Sequence, residues 1–489
     1  MFMKNFKKIL FVVLLVAVIL PLSCSHFIDV NKNPNNPVSV SPPLQLTAML
    51  GNFSYEVIGN IPARICDEWM QQLAWNGVPP SDDNYDTNES DVDNLWDPFS
   101  YINVMKNAKI LDEQATKDSS FAYAGIAKVI FAWNMSIVTD LWNDVPYSQA
   151  FNPSDITPAY DSQQSIYTDL FKVLDDAIAD MKKNSRTTPA GDDLLYGGDM
   201  AKWIRLAYTL KARLEMHLTK APGMTASAQA QKALADLQNG FQSNDDNANF
   251  QYFDRKGAEN PWYQFAIDGK WDTRDQLSYQ YVNMLKNLND PRLIVQARPV
   301  GEVNNQGLVP GVVQDSTYVG HPNGSEGTGT NTVSSIGRFY SNPDAPLNWM
   351  NYAEARFIEA EATFLTSGAA AADPVYRDAV SASMDQLGVP TDKAQAYIQS
   401  LPTLTSANAI EQIITQKYIA NFLHFEVFND WRRTGYPSLT LAEGAKISTI
   451  PRRFPYPATE LQYNAANVTK TGVPVGYSSM TYRVWWDSK

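Results

Sequence analysis

The chain has 489 residues, which at ~100–200 residues per domain allows several modules or one large helical body. Apolar residues make up 44 % and charged residues 19 %, a balance that excludes a disordered chain and a coiled coil. Fifty-two acids against 39 bases give a net charge of −13, so nucleic acid is not an expected partner. Four His and two Cys leave little material for a zinc site or a disulfide framework, and neither a metal nor a cofactor is expected.

The N-terminus carries Lys4, Lys7 and Lys8, followed by an unbroken apolar run from Ile9 to Leu20. The run is shorter than the ~20 residues of a bilayer-spanning helix and has the length of a signal-peptide core. Pro21 ends it, and Leu22-Ser23-Cys24 follows, which resembles a bacterial lipobox. Residues 1–23 therefore read as a lipoprotein signal peptide and Cys24 as the acylated first residue. Each buried CH₂ contributes ~0.8 kcal/mol, so two or more acyl chains anchor stably in a membrane. Residues 24–46, rich in Asn, Pro and Ser, read as a lipidated flexible tether. The rest, 47–489, reads as a single domain, with Cys66 a buried inert thiol and no later apolar run of membrane length.

The body reads as helix pairs. Ile166, Leu170, Val173, Leu174, Ala177, Ile178 and Met181 share one helical face, as do Trp203, Leu206, Ala207, Leu210 and Leu214. The same period recurs around Phe121–Leu141, Asn351–Leu365 and Ile410–Tyr418. Alanines interleave with bulky residues on these helices, which permits close helix approach. Pairs are expected at about 99–142, 163–218, 351–388 and 395–432, a degenerate tetratricopeptide-like spacing. A generic α-bundle fits the same periodicity. Residues 241–350 break it with Gly, Asn, Pro and aromatics, a texture suited to a binding surface. The tail 444–489 reads as irregular coil packed on the body.

No nucleophile elbow, zinc-protease helix, P-loop or dinucleotide fingerprint occurs. The acidic run Asp82, Asp83, Asp86, Glu89, Asp91 and Asp93 lacks the spacing of an EF-hand loop and reads as a solvated loop. Aromatics are the more useful signal. Trp75, Tyr85 and Trp96 flank the acidic run, and Trp262, Trp271 and Tyr318 lie in the irregular middle. A flat ring stacks on the C–H face of a pyranose while Asn, Asp and Arg take its hydroxyls. Such contacts contribute roughly 0.5–1.5 kcal/mol each, enough for weak to moderate affinity after association costs. These six residues are the candidate ligand contacts.

Nine stretches in order then carry a resemblance to a known family. They are FIDVNKNPNNP (27–37), DLWNDVPYSQAF (140–151), YDSQQSIYTDLFKVLDDAI (160–178), GDMAKWIRLAYTLKARLEMH (198–217), NDPRL (289–293), MNYAEARFIEAEA (350–362), EQIITQKYIANF (411–422), FNDWRRTGYP (428–437) and IPRRFPYPATELQYNAANV (450–468). On these the chain resembles the SusD/RagB outer-membrane lipoproteins of Bacteroidetes. The resemblance implies a mainly α, tetratricopeptide-like scaffold with an irregular, loop-rich ligand face. It also implies a non-catalytic protein, lipid-anchored at the outer membrane and facing the cell exterior. Such a protein captures oligosaccharide and delivers it to a partner TonB-dependent, SusC-like β-barrel transporter. The same lid could serve peptides or another nutrient, and a secreted glycoside hydrolase is the remaining alternative. Lys202, Trp203, Arg205, Asp430, Arg432, Arg433, Arg452 and Arg453 read as scaffold, with Arg supplying bidentate geometry.

Overall fold

The computed structural model describes residues 40–152, 154–268, 274–301, 317–329 and 332–488. The signal segment, Cys24 and most of the tether lie outside these residues. The expected tether runs to residue 46, but Pro42–Asn52 is a helix with Leu46, Met49 and Leu50 buried. Pro at the first helical turn loses no needed hydrogen bond, so Pro42 and Pro43 open a helix there rather than extend a linker.

The architecture is mainly α. Helix Asn107–Lys117 packs on Phe121–Trp142, which packs in turn on Gln163–Met181. Met200–His217 pairs with Ala226–Leu237, and Ala226–Leu237 with Tyr352–Ser367. Tyr352–Ser367 also packs on Ala369–Gln386 and on Ala409–Ala420. The result is a continuous array of antiparallel helix pairs. Where one pair was expected at 395–432, three shorter helices stand: Thr391–Ser400, Ala409–Ala420 and Glu426–Thr434.

Local chemistry sets the helix starts. Ser162, Asp199, Thr225 and Asn351 each accept a backbone N–H from the first turn of the helix they precede. Helix Phe121–Trp142 is long and apolar enough to cross a membrane, yet 83 % of its apolar window is buried inside the protein. It is the central core helix, and its small residues make that possible. A Cβ on Gly125 would lie 2.4 Å from Met181 Cγ and 2.9 Å from the Ala177 carbonyl oxygen, so this crossing requires glycine.

Among the described residues, sheet is confined to three two-stranded antiparallel ribbons: Leu73–Trp75 with Asp275–Leu277, Val145–Pro146 with Tyr160–Asp161, and Asn249–Phe250 with Leu347–Asn348. The stretch 241–350 is less loose than its composition implies. Phe250, Tyr252, Trp262, Leu277, Tyr281, Leu285, Ile336 and Trp349 from it are all buried in the main core. A smaller apolar cluster around Phe357, Tyr376 and Ile413 fills the later helices. The tail contains short helices at Ala458–Tyr463 and Ala465–Lys470 rather than coil alone.

Buried ion pairs brace the scaffold, some within one turn and some between distant helices. Arg213 grips Glu354 through two nitrogens, each 2.7 Å from a carboxylate oxygen. Arg292 Nη2 lies 2.6 Å from Asp290, and Lys417 Nζ 2.8 Å from Asp430. Arg205 Nε donates to Asp246 at 2.9 Å, Lys202 Nζ to the Asp245 carbonyl at 2.6 Å, and Trp203 Nε1 to Asp193 at 2.8 Å. Arg452 Nε donates to Asp487 at 2.8 Å, fastening the tail. The arginines of the DWRRTGYP and PRRFPYP stretches thus act inside the scaffold.

Candidate ligand-binding face

Trp75 ends the strand Leu73–Trp75 and pairs in register with Asp275. It is half-buried, so part of its ring is open to solvent. Its position is fixed from several sides. The backbone N–H donates to Asp83 Oδ2 at 3.1 Å, and the indole Nε1–H donates to the Pro79 carbonyl at 3.1 Å. The Arg274 guanidinium carbon stands 5.5 Å from the ring centroid. Asn76, next in sequence, donates through Nδ2 to the Gly329 carbonyl at 2.9 Å and accepts from the Thr328 N–H at 2.7 Å. The Gly327 N–H reaches the Gly77 carbonyl at 2.9 Å. Residues 327–329 are therefore laced to the edge that carries Trp75. Val78 beside it is 61 % exposed.

Strand Asp275–Leu277 connects this edge to a second segment. The His321 N–H donates to the Leu277 carbonyl at 2.8 Å, and the Tyr279 N–H to the His321 carbonyl at 2.8 Å. Half-buried Tyr318 lies on the same segment, and its carbonyl accepts from Lys286 Nζ. Tyr318 lies three positions before His321, whose segment bridges Ser278 in parallel. Trp271 lies outside the described residues, three positions before Arg274.

The other three candidates are corrected. Tyr85 is fully buried, and its hydroxyl accepts the Ala442 N–H at 3.2 Å. Trp96 is 4 % exposed, with its ring edge-on to Trp142 at 5.2 Å. Trp262 is 1 % exposed at the start of helix Pro261–Ala266. A ring enclosed on both faces has none to offer a sugar, so these are core residues. The acidic run is corrected at its start, whereas Asp91 is exposed. Asp83 is fully buried, and burial pushes its carboxyl up to about 6 and that of Asp82 up to about 7. Sequence reasoning missed Arg274 and Asn76, although both adjoin a named aromatic in sequence or across the strand pair.

The Trp75 face is an open surface. Two clefts are lined by other described residues, one of about 390 Å³ by Phe131, Tyr147 and Phe151, and one of about 380 Å³ by Tyr101, Ile102 and Phe151. Among the described residues, no three His, Cys, Asp or Glu side chains converge as metal ligands.

The fold and this face define a helical-repeat binding scaffold with a loop-built surface. The SusD-like family model described as "Starch-binding associating with outer membrane" matches residues 34–457. The chain belongs to this SusD-like family. Solved structures agree. A chitin-binding protein superposes with a TM-score of 0.77 at 28 % identity, covering 92 % of this chain and 100 % of that one. A SusD/RagB family protein from Bacteroides thetaiotaomicron VPI-5482 gives 0.79 at 26 %, covering 92 % and 99 %. A chitin-binding SusD homologue from Flavobacterium johnsoniae gives 0.74 at 25 %, covering 91 % and 98 %. No curated protein sequence matches the chain.

Proposed function

We propose that this protein is a non-catalytic glycan-binding lipoprotein of the outer membrane. It captures oligosaccharide on the Trp75 face and passes it to a TonB-dependent, SusC-like β-barrel. Cys24 carries the lipid anchor, and the binding face looks to the cell exterior. The observation that carries this reading is half-buried Trp75, its indole N–H held by the Pro79 carbonyl and its backbone N–H by the Asp83 carboxylate. A pre-positioned aromatic plane loses little entropy on binding, which suits a sugar face. The family match and the chitin-binding relatives add support. Tyr318 and Trp271 are the further ring contacts of this reading, with Asn76 and Arg274 as polar neighbours. Modest affinity suffices, because tethering beside a transporter raises the effective concentration and weak binding permits release.

The test is a glycan array on the purified chain, with chito- and malto-oligosaccharides included, followed by calorimetric titration of each hit. Trp75→Ala should weaken binding at least tenfold and leave the melting temperature within about two degrees of the parent. Binding that survives this change, or a chain that hydrolyses the oligomer, overturns the reading.

A further inference from the structure

The acids beneath Trp75 outnumber the cations that face them. Glu68 lies on helix Ile61–Trp69, Asp82 and Asp83 on the turn Asp82–Asn84, and Asp275 on the strand opposite Trp75. Arg64 reaches this group, its Nε 2.9 Å from Asp275 Oδ2. Asp83 Oδ2 accepts two backbone N–H groups, from Trp75 at 3.1 Å and from Gly324 at 2.8 Å. Asp82 Oδ1 accepts the Thr87 hydroxyl at 2.5 Å. The remaining acceptors are orphaned. Glu68 Oε2, Asp83 Oδ1, Asp275 Oδ1 and both carboxylate oxygens of Asp67 are buried with no donor.

Buried carboxylate oxygens without donors are costly as anions, whereas a proton turns an orphan acceptor into a donor. Burial, with the Asp275 charge beside it, holds the Glu68 carboxyl well above its usual range. The other groups facing the cluster do not relieve it. Asp67 on the same helix is itself raised by burial and by Asp275, and Asp91 in the following loop adds negative charge beside Asp82. Tyr85 faces Asp83, and Tyr418, whose hydroxyl donates to the Met70 carbonyl at 2.9 Å, faces Asp67; both are neutral phenols.

We propose that Glu68, Asp82 and Asp83 form a proton-holding seat that positions Trp75. Protonation spares the buried seat uncompensated negative charge, and ionisation loosens the strand and the 323–329 segment around it. These are positioning residues that do not touch the ligand. The claim rests on the proposed function only for the role of the Trp75 ring. Burial raises the acids, Asp82 to about 7 and Asp83 to about 6. Groups raised in this way favour the folded state when protonated. Their contribution therefore falls as pH climbs from the ordinary carboxylate range to about 7, and the loss is complete above it.

The test needs no ligand, so its failure is separable from failure of the glycan reading. Hydrogen–deuterium exchange of the purified full chain is followed at peptides covering 73–85 and 317–329, between pH 5.5 and 8. Protection factors, corrected for intrinsic exchange, should fall at least tenfold in the parent. In Asp82→Asn, which mimics the protonated acid, they should change less than threefold, and the melting temperature at pH 8 should exceed the parent's. If that variant does not fold, Glu68→Gln carries the same expectation. A flat profile in the parent, or an equal fall in the variants, overturns the proposal. So does recovery of protection at pH 8 on adding millimolar calcium chloride, which would make the cluster a cation site.

Discussion

Arg433 clasps Glu361 across the scaffold with two nitrogens on two oxygens, Nη2 standing 2.6 Å from Oε2, and both side chains are buried. The same guanidinium reaches Asp430 at 3.0 Å. Helix Glu426–Thr434 is thereby locked to helix Tyr352–Ser367. Removing one partner leaves a buried charge uncompensated, which typically costs about 3–5 kcal/mol. Arg433→Met should lower unfolding free energy by that order in a urea titration. Arg433→Met combined with Glu361→Leu should recover part of the loss, because the stranded carboxylate is gone.

His217 sits between two acids, with Nε2 2.7 Å from Glu426 Oε1 and Nδ1 3.3 Å from Asp140 Oδ2. Burial works against its charge, but the two carboxylates win and hold its pKa up at about 9, while Glu426 is pulled well below the usual carboxylate range. A raised histidine stabilises the fold fully below its unfolded value of ~6.5, and the contribution is lost as pH rises through about 9. Shift and conversion give a contribution on the order of 3 kcal/mol. The difference in unfolding free energy between the parent and His217→Gln should shrink steadily from pH 6.5 to 9.5.

Trp262 and Trp75 should separate by readout. Trp262→Ala empties a core site and is expected to cost about 3–5 kcal/mol, as is Trp96→Ala, visible as a lowered melting temperature. Trp75→Ala should leave thermal unfolding nearly unchanged and act on ligand affinity. Reversed behaviour would move the binding surface elsewhere.

Gly324 has φ +82°, and a Cβ there would sit 2.0 Å from the Glu443 carbonyl oxygen. Its N–H is also one of the two donors on Asp83. Gly324→Ala should destabilise by at least the ~1–3 kcal/mol of a strained backbone position. Exchange at the Trp75 amide should accelerate with it, since both amides share one carboxylate.

The helix array was legible because it is periodic. Ile166, Leu170, Leu174, Ala177, Ile178 and Met181 fall on one face, and all are buried. The arginine motifs were legible as scaffold because planar, bidentate groups suit buried pairs. The ligand face was harder to read. Trp75 and Trp262 are equal in composition, and what separates them is the fold: Trp262 follows Pro261 into a helix turned inward, whereas Trp75 ends a strand at an edge. Tyr85 offered no local signal, since its burial depends on Ala442, 357 positions away. The acidic run looked solvated because its neighbours in space, Arg64 and Gly324, are distant in sequence.

Trp486 is fully buried and donates its indole N–H to Asp140 Oδ1 at 2.7 Å across a separation of 346 positions, under the Arg432 guanidinium at 4.6 Å. The middle of the molecule is therefore sealed by a residue synthesised long after the helix it closes. During synthesis the Asp140 region cannot reach its final packing until residue 486 has emerged. Closure of this core therefore waits for the far end of the chain, and a truncation before Trp486 would leave Asp140 without that indole donor.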